Sequence, residues 1–200
     1  MRDGPARPSL ADMTKIIGIA GSLRKASFNA ALLRAAADLV PAGTELEIAS
    51  IAGIPLYDGD VETEQGIPAA VATLKDRVAA ADGLLLVTPE YNNSIPGVFK
   101  NAVDWLSRPT QDIPRVFGDK PVATIGATPG MAGTRLSQAA WLPVLRLLGT
   151  RPWFGKQLYV AGAGKVFDSH GKLTDETVKK LLGEFMAGFA RFVNEQTRSR

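Results

Sequence analysis

Strand-like segments, most of them apolar throughout, alternate with helical segments along the chain, and this alternation limits the possible folds more than any other feature. Most of the strand-like segments are too hydrophobic to have one face in water, which is typical of strands buried on both faces of a parallel sheet. The strands are predicted at residues 15–21, 44–51, 82–88, 121–127 and 151–160. The helices are predicted at residues 29–40, 67–80, 96–106, 133–148 and 174–196. The sequence therefore predicts an α/β fold in which helices cover both faces of a five-stranded parallel sheet.

The position of the functional site follows from the order of the strands. In an open parallel sheet, ligands bind at the carboxyl ends of the strands, beside the point where the strand order reverses. If the order is 2-1-3-4-5, the loops after the first, third and fourth strands meet there. We therefore expect the chemistry to lie in residues 21–29, 89–97 and 128–134.

The composition excludes several kinds of site. The 200 residues include no cysteine and one histidine, His170, so zinc-finger, iron–sulfur and thiol-nucleophile chemistry are excluded. His170 lies between glycine and serine in a predicted turn, and we expect it to face water. The net charge of +3 and the pI of about 9.3 raise the question of nucleic-acid binding. However, two of the positive charges lie at the C-terminal end, and the lysines and arginines form no stripe, so we expect no nucleic-acid partner.

We expect one domain at residues 13–197, with polar tails at residues 1–12 and 198–200. Residues 1–12 carry charges and prolines where a secretory signal would have an apolar core. Apolar runs such as residues 83–87 are far too short to span a bilayer. The sequence therefore predicts a cytoplasmic protein with no membrane partner.

The first of the three loops has the composition of a phosphate-binding site. Its polar side chains are Ser22, Arg24, Lys25, Ser27 and Asn29. Hydroxyl and amide donors, a cation and the free N–H groups of a helix N-terminus together suit a phosphate monoester. The alternative is that Ser27 or Asn29 only caps the helix while the cations face water. The loop lacks the glycine spacing of a P-loop or a dinucleotide fingerprint, so a mononucleotide is the expected ligand.

The loop after the third strand is polar, although the strand before it is the most hydrophobic of the five. Tyr91 could lie against a planar heterocycle, and the backbone and amide groups of residues 90–93 could bind the polar edge of that ring. The alternative is that Asn, Ser, Pro and Gly are present here only as turn formers. In the loop after the fourth strand, Thr128 is the side chain that we expect nearest to such a ring.

These motifs, GSLRKASFN and TPEYNNSIPGVFKNAVDWLSR, resemble those of the NAD(P)H-dependent FMN reductase family, which includes bacterial quinone and chromate reductases. The resemblance extends from about residue 15 through the last helix. It implies a flavodoxin-like three-layer sandwich with strand order 2-1-3-4-5, bound FMN, and homodimers or homotetramers. It also implies that NADPH or NADH reduces the FMN, which then passes electrons to quinones, flavins or oxidants such as chromate in a ping-pong reaction.

The resemblance also implies roles for particular residues. Four residues would hold the FMN phosphate, namely Ser22, Arg24, Ser27 and Asn29. Three more would line the same loop, namely Leu23, Lys25 and Phe28. Five would border the isoalloxazine ring, namely Pro89, Glu90, Tyr91, Asn92 and Thr128. No catalytic acid, base or metal is implied, because FMN carries the chemistry. Relatives often have an aromatic residue after P-E-Y-N, and Asn93 departs from that pattern, which weakens the case for a subunit-bridging role there.

Two other classes of protein share this architecture. An electron-carrying flavodoxin would have a similar architecture but would not oxidise NADPH, and such carriers are usually acidic, whereas this domain is nearly neutral. A phospho-acceptor signalling domain would need acidic residues where the first and third strands end, and residues 20–22 and 87–89 contain none. The role of Arg135 stays open: it could pair across a subunit interface, bind the phosphate of a nicotinamide cofactor, or face water.

Overall fold

The computed structural model describes residues 13–198, and the predicted tail at residues 1–12 lies outside them, as do residues 199 and 200. The strands are β1 (Thr14–Ala20), β2 (Thr44–Ala49), β3 (Gly83–Val87), β4 (Pro121–Ala127), β5 (Arg151–Pro152) and β6 (Tyr159–Val160). All of their pairings are parallel, and the order is β2-β1-β3-β4-β5, with β6 also paired to β4. The predicted strand order is confirmed.

Helices cover both faces of this sheet. They are α1 (Phe28–Asp38), α2 (Gly59–Gln65), α3 (Ala69–Ala80), α4 (Gly97–Leu106), α5 (Ile113–Val116), α6 (Arg135–Leu147), α7 (Ala163–Val166) and α8 (Glu176–Arg198), with a 3-10 turn at Thr110–Asp112. Apolar residues of α1 and α8 pack on one face, and those of α3, α4 and α6 pack on the other. The three-layer sandwich is therefore confirmed.

Strand β3 shows why the sheet has to be covered on both sides. All five of its residues are buried, and successive side chains point to opposite faces. Leu85 and Val87 join the core under α1 and α8, whereas Leu84 and Leu86 join the core under α3, α4 and α6. Strand β3 therefore contributes side chains to both cores, one on each face of the sheet.

The prediction of one continuous strand over residues 151–160 is wrong. Only its two ends pair with the sheet: β5 pairs with the start of β4, and β6 pairs with its end. Trp153 N still donates to Val122 O at 2.7 Å, so the chain leaves the sheet only after this residue. The Trp153 ring packs against α8, with its centroid 5.0 Å from that of Phe185 and 5.8 Å from that of Phe189. Gly155 lies against the same ring, where an added Cβ would be 2.6 Å from Trp153 Nε1, so the chain crosses the ring instead of continuing along β4.

The helices differ from the prediction by the additional short helices α2, α5 and α7 and by shifts of one or two residues at several ends. The connection before α3 contains α2, whose first turn is capped by the Asp58 carboxylate, which accepts a hydrogen bond from Asp60 N at 2.9 Å. The last helix begins at Glu176, because Asp175, not Thr174, accepts a hydrogen bond from Val178 N at 2.8 Å. Within the described range of 13–198, no helix combines the length and the apolar character needed to cross a membrane.

Candidate functional site

The three predicted loops leave the sheet side by side. Gly21 N, just after β1, donates to Val87 O at 2.9 Å, and Thr88 N, just after β3, donates to Ile125 O at 2.8 Å. Thr128 N, just after β4, donates to Val160 O at 2.9 Å. The backbone ladder thus continues one residue beyond each strand, and the loops begin at the same edge of the sheet.

The loop after β1 ends at a helix N-terminus that carries no acidic residue in its first turn. Ser27 is the N-cap of α1, and its Oγ accepts a hydrogen bond from Ala30 N at 3.2 Å. Capping employs Ser27 Oγ as an acceptor, so its hydroxyl hydrogen can still be donated to a ligand. Leu23, Arg24 and Lys25 are exposed in front of this helix end. The predicted capping role of Ser27 is confirmed, and this role is compatible with phosphate binding.

Asn29 has a structural role that the sequence did not reveal. Its side chain is 4% exposed, and it makes two hydrogen bonds to the backbone of Ala127 at the end of β4. Asn29 Nδ2 donates to Ala127 O at 2.8 Å, and Ala127 N donates to Asn29 Oδ1 at 2.9 Å. This pair joins the first turn of α1 to the last residue of β4. The assignment of Asn29 to the phosphate remains a prediction.

A cavity of about 700 Å³ opens beside the first loop. Arg24, Lys25, Ser27 and Phe28 line one side of it, and residues 167–171 line the other. This second wall was not predicted, because its residues lie far along the chain and have the composition of an ordinary turn. His170 lies in that turn and is exposed, as expected.

The turn that forms the second wall is held by one carboxylate. Asp168 Oδ1 accepts hydrogen bonds from His170 N and Lys172 N, both at 2.9 Å. These backbone bonds, that of Lys172 foremost, lower the pKa of Asp168 below its ordinary value. The carboxylate therefore stays ionised near neutral pH, and its negative charge is directed at its own turn.

The loop after β3 contains a tight hairpin that presents Tyr91. Tyr91 N donates to Ser94 O at 3.1 Å, and Ser94 N donates to Tyr91 O at 3.0 Å. The two residues between them, Asn92 and Asn93, have φ of 50° and 61°, which is the pattern of a type I′ turn. Asn tolerates this left-handed conformation better than most residues, which explains why two asparagines follow each other here. Asn92 and Asn93 therefore do form a turn, which is compatible with ring binding, and the hairpin leaves the Tyr91 side chain 47% exposed.

Glu90 and Pro89, the first residues of this loop, face the protein. Pro89 is buried and Glu90 is half-buried. Glu90 Oε2 accepts hydrogen bonds from Leu136 N at 2.9 Å and Ser137 N at 3.0 Å, in the first turn of α6. The loop after β3 is therefore tied to the helix that follows the loop after β4.

The loop after β4 combines a half-buried threonine with an exposed tip. Thr128 Oγ1 accepts a hydrogen bond from Gly130 N at 3.4 Å, and Met131 at the tip is 87% exposed. Arg135 lies just beyond this loop, with its guanidinium 5.2 Å from the centre of the Tyr159 ring. This cation–π contact holds Arg135 beside the site without burying it.

The tips of the three loops share one property. Each carries a large apolar side chain that is exposed to solvent: Leu23 (56%), Tyr91 (47%) and Met131 (87%). No group of three or more His, Asp or Glu side chains that could hold a metal ion occurs in residues 13–198. The edge thus combines apolar side chains for a planar ring with hydroxyl groups, cations and a helix N-terminus for a phosphate. The donor set fits FMN.

The fold is that of a flavodoxin-like protein, and the carboxyl ends of its strands form a candidate mononucleotide site. Residues 14–165 match the family described as NADPH-dependent FMN reductase, and the chain belongs to this family. The resemblance stated from the motifs is therefore confirmed.

Relatives of known name agree with this membership. The chain is 42% identical over 173 residues to an NAD(P)H-dependent FMN reductase of Pseudomonas aeruginosa, covering 86% of this chain and 91% of the relative. It is 37% identical over 189 residues to a quinone reductase of Escherichia coli strain K12, covering 92% and 97%. The solved structure of FerB, a flavoenzyme NAD(P)H:(acceptor) oxidoreductase from Paracoccus denitrificans, superimposes with a TM-score of 0.82 at 33% identity, covering 92% of this chain and 99% of that one.

Proposed function

We propose that this protein is an FMN-containing oxidoreductase that takes reducing equivalents from NADPH or NADH and passes them to quinones or free flavins. FMN supplies the redox chemistry when bound, because its ring accepts a hydride and later releases electrons. The chain would bind the phosphate, contact the ring, and leave the ring accessible to the nicotinamide cofactor and to the electron acceptor. The observation that carries the proposal is that a helix N-terminus with a neutral cap and two exposed cations lies at the same edge of the sheet as three exposed apolar side chains.

The charges around two helix ends indicate where the phosphate binds. The N-terminus of α6 already has a carboxylate, because Glu90 accepts hydrogen bonds from its first turn. The N-terminus of α1 has a neutral hydroxyl cap, Ser27, and two exposed cations, Arg24 and Lys25, in the loop before it. An anion is stabilised at a helix N-terminus unless another negative charge occupies that position. We therefore assign the phosphate to α1, where Ser22 and Ser27 add hydroxyl groups.

The hairpin after β3 suits the ring. Tyr91 offers an exposed aromatic side chain, and the turn leaves the N–H groups of Asn92 and Asn93 without a hydrogen-bond partner among residues 13–198. Such N–H groups can donate to the polar edge of a heterocycle, while Tyr91 contacts its face or its rim. Thr128 would approach the same ring from the loop after β4.

Self-association is also part of the proposal. The exposed side of α6 carries three leucines, Leu136, Leu142 and Leu147. Burial of such side chains against a second subunit would be favourable, and we propose a homodimer or homotetramer that covers this side. Chromate as an acceptor and a cytoplasmic location also remain proposals.

The test starts from the purified full-length protein. It should show the visible absorption of oxidised flavin, or take up added FMN, and lose that absorption within seconds when NADPH or NADH is added without oxygen. A flavodoxin-like electron carrier would bind FMN but would not be bleached. Comparison of the two nicotinamide cofactors gives the preference, and failure to bind FMN would refute the proposal.

The phosphate assignment has its own variant. Arg24→Ala should raise the Kd for FMN about ten- to hundredfold, because a charge-assisted hydrogen bond to the phosphate is lost. The matched control is Lys15→Ala, which removes an exposed cation at the amino end of β1, away from the loops at the carboxyl ends of the strands. The two variants should unfold like the wild type in urea. Equal FMN affinity of Arg24→Ala and Lys15→Ala would show that Arg24 does not hold the phosphate.

A further inference from the structure

The N-terminus of α6 is capped from a distant part of the chain. Thr134 is its N-cap residue, but the Thr134 side chain makes no capping hydrogen bond, because its Oγ1 accepts from Gln138 Nε2 at 3.0 Å. The first turn of α6 contains no acidic residue. Glu90, 46 residues earlier, supplies the carboxylate instead, at 2.9 Å from Leu136 N. A side chain of the loop after β3 thus does for α6 what a local cap does for other helices.

A second contact joins the same two segments. Thr88 Oγ1 lies 2.7 Å from Ser137 Oγ, and neither residue is exposed to solvent. Gln138 Nε2 also donates to Leu158 O at 3.1 Å, next to β6. These side-chain contacts form two adjacent sets, one joining Ser137 to Thr88 and Glu90, and one joining Gln138 to Thr134. We call the five residues together the polar clamp: Thr88, Glu90, Thr134, Ser137 and Gln138.

The space inside the polar clamp is filled. A Cβ atom placed on Gly126, near the end of β4, would lie 2.1 Å from Thr88 O and 2.2 Å from Thr134 Oγ1. Such distances leave no room even for a methyl group. The end of β4, the loop after β3 and the start of α6 are therefore packed directly against one another.

The charge of Glu90 has a physical reason in this position. Its carboxylate lies at the positive end of a 13-residue helix, where an anion is stabilised. Because both N–H groups donate to the same oxygen, Oε2, the carboxylate is directed at the helix end. This arrangement is formed entirely by the protein.

We propose that Glu90 is a positioning residue, whose carboxylate fixes the hairpin of residues 91–94 relative to α6 before FMN binds. The proposal rests on the proposed placement of the ring between these loops. In this role Glu90 does not contact the ring directly. It holds the two segments that carry Tyr91 and Thr128, and so fixes the distance between these two side chains. Loss of the carboxylate should loosen both segments and weaken FMN binding indirectly.

The experiment compares four full-length variants by two measurements. Hydrogen exchange of the segment 134–139 is followed by mass spectrometry with and without FMN, and the Kd for FMN is measured by quenching of flavin fluorescence. Glu90→Ala removes the cap, Glu90→Gln keeps an acceptor oxygen at the same reach, and Glu90→Asp keeps the charge but shortens the side chain. Glu64→Ala, an exposed carboxylate on α2, is the matched control.

In the FMN-free protein, Glu90→Ala should speed exchange of the segment 134–139 about tenfold and raise the Kd for FMN by a similar factor. Glu90→Gln should stay within about threefold of the wild type in both measurements, since it retains the acceptor. Glu90→Asp should resemble Glu90→Ala, because its carboxylate no longer reaches both N–H groups. Should Glu90→Ala fail to fold, the Gln and Asp variants give the same comparison.

Two results would overturn the proposal. Unchanged exchange in Glu90→Ala or Glu90→Asp would show that the carboxylate does not hold α6. An equal rise in Kd for the Ala and Gln variants with wild-type exchange would show that Glu90 acts on FMN directly. If the wild-type protein binds no FMN, the proposed function fails, and the exchange measurement still decides whether Glu90 holds the two segments.

Discussion

Replacement of Asn29 by alanine should destabilise the protein strongly, whether or not Asn29 touches a phosphate. The substitution removes both partners of the Ala127 backbone, whose N–H and C=O groups lie in a residue that is 2% exposed. Each buried backbone group that loses its partner costs about 1–3 kcal/mol. The expected loss in the free energy of unfolding is therefore about 2–6 kcal/mol, which corresponds to a decrease in Tm of about 4–24 °C for a domain of this size.

The chain contains a matched control in Asn101. Its side chain makes the same pair of bonds to the backbone, since Asn101 Nδ2 donates to Pro55 O and Tyr57 N donates to Asn101 Oδ1, both at 2.8 Å. Pro55 and Tyr57 are exposed, so water can replace the amide in Asn101→Ala. The cost there should be only about 1 kcal/mol. Pro55 O also keeps its hydrogen bond from Trp105 Nε1 at 2.9 Å in that variant. The difference between the two variants therefore measures the cost of leaving buried backbone groups without a substitute partner.

The assay is equilibrium unfolding of the FMN-free protein in urea, followed by circular dichroism, with the midpoint and slope compared among the wild type and the two variants. Omission of FMN separates the structural role of Asn29 from any contact with the phosphate. If Asn29→Ala loses no more stability than Asn101→Ala, the reasoning from buried backbone groups is refuted.

Three further predictions concern other positions. Asn93→Val should lower the free energy of unfolding by about 1–2 kcal/mol, because a β-branched residue is strained at positive φ, and Asn93→Gly should not; chemical denaturation measures both. Gly126→Ala should destabilise by about 1–3 kcal/mol or prevent folding, because its methyl group would overlap Thr88 O; a normal melting temperature would contradict this. Arg108 donates to Glu62 at 2.7 Å and lowers the pKa of that carboxyl, so the stabilisation is present at neutral pH and is lost as the pH falls below the ordinary value of about 4.5. Glu62→Gln should therefore make the urea midpoint less dependent on pH between about 5 and 3. If the midpoint of the variant changes with pH as much as that of the wild type, the assignment is refuted.

The parts of the fold that could be predicted are those with a local sequence signal. The strand predicted at residues 121–127 is observed as Pro121–Ala127. A short, mostly apolar run with a polar residue on either side is typical of a buried strand. Helix α2 is absent from the prediction, although Asp58 and the acidic residues after it form an N-terminal signal, because Val61 is its only apolar contact with the core and it has no apolar face. That signal could have revealed it.

The features that could not be predicted depend on partners far apart in the chain. Asn29 has the composition of a helix start, and only the fold brings it to Ala127, 98 residues later. Glu90 lies in a motif associated with the ring, and only the fold shows that its carboxylate faces α6. Trp153 lies in a segment predicted as one continuous strand, and only the fold shows that its ring packs against two phenylalanines of α8. In each case the local sequence is compatible with several roles, and tertiary packing selects one.

The interruption between β5 and β6 also bears on the behaviour of the protein at high concentration. A long exposed edge strand offers unpaired backbone groups to another chain and promotes aggregation. Here the strands on one outer side are two residues long, and the opposite edge, β2, carries the exposed charges Glu45 and Glu47. Within residues 13–198, the edge strands of the sheet are therefore short or charged. Association between molecules is then expected through helix faces such as that of α6, where complementary side chains determine the contact.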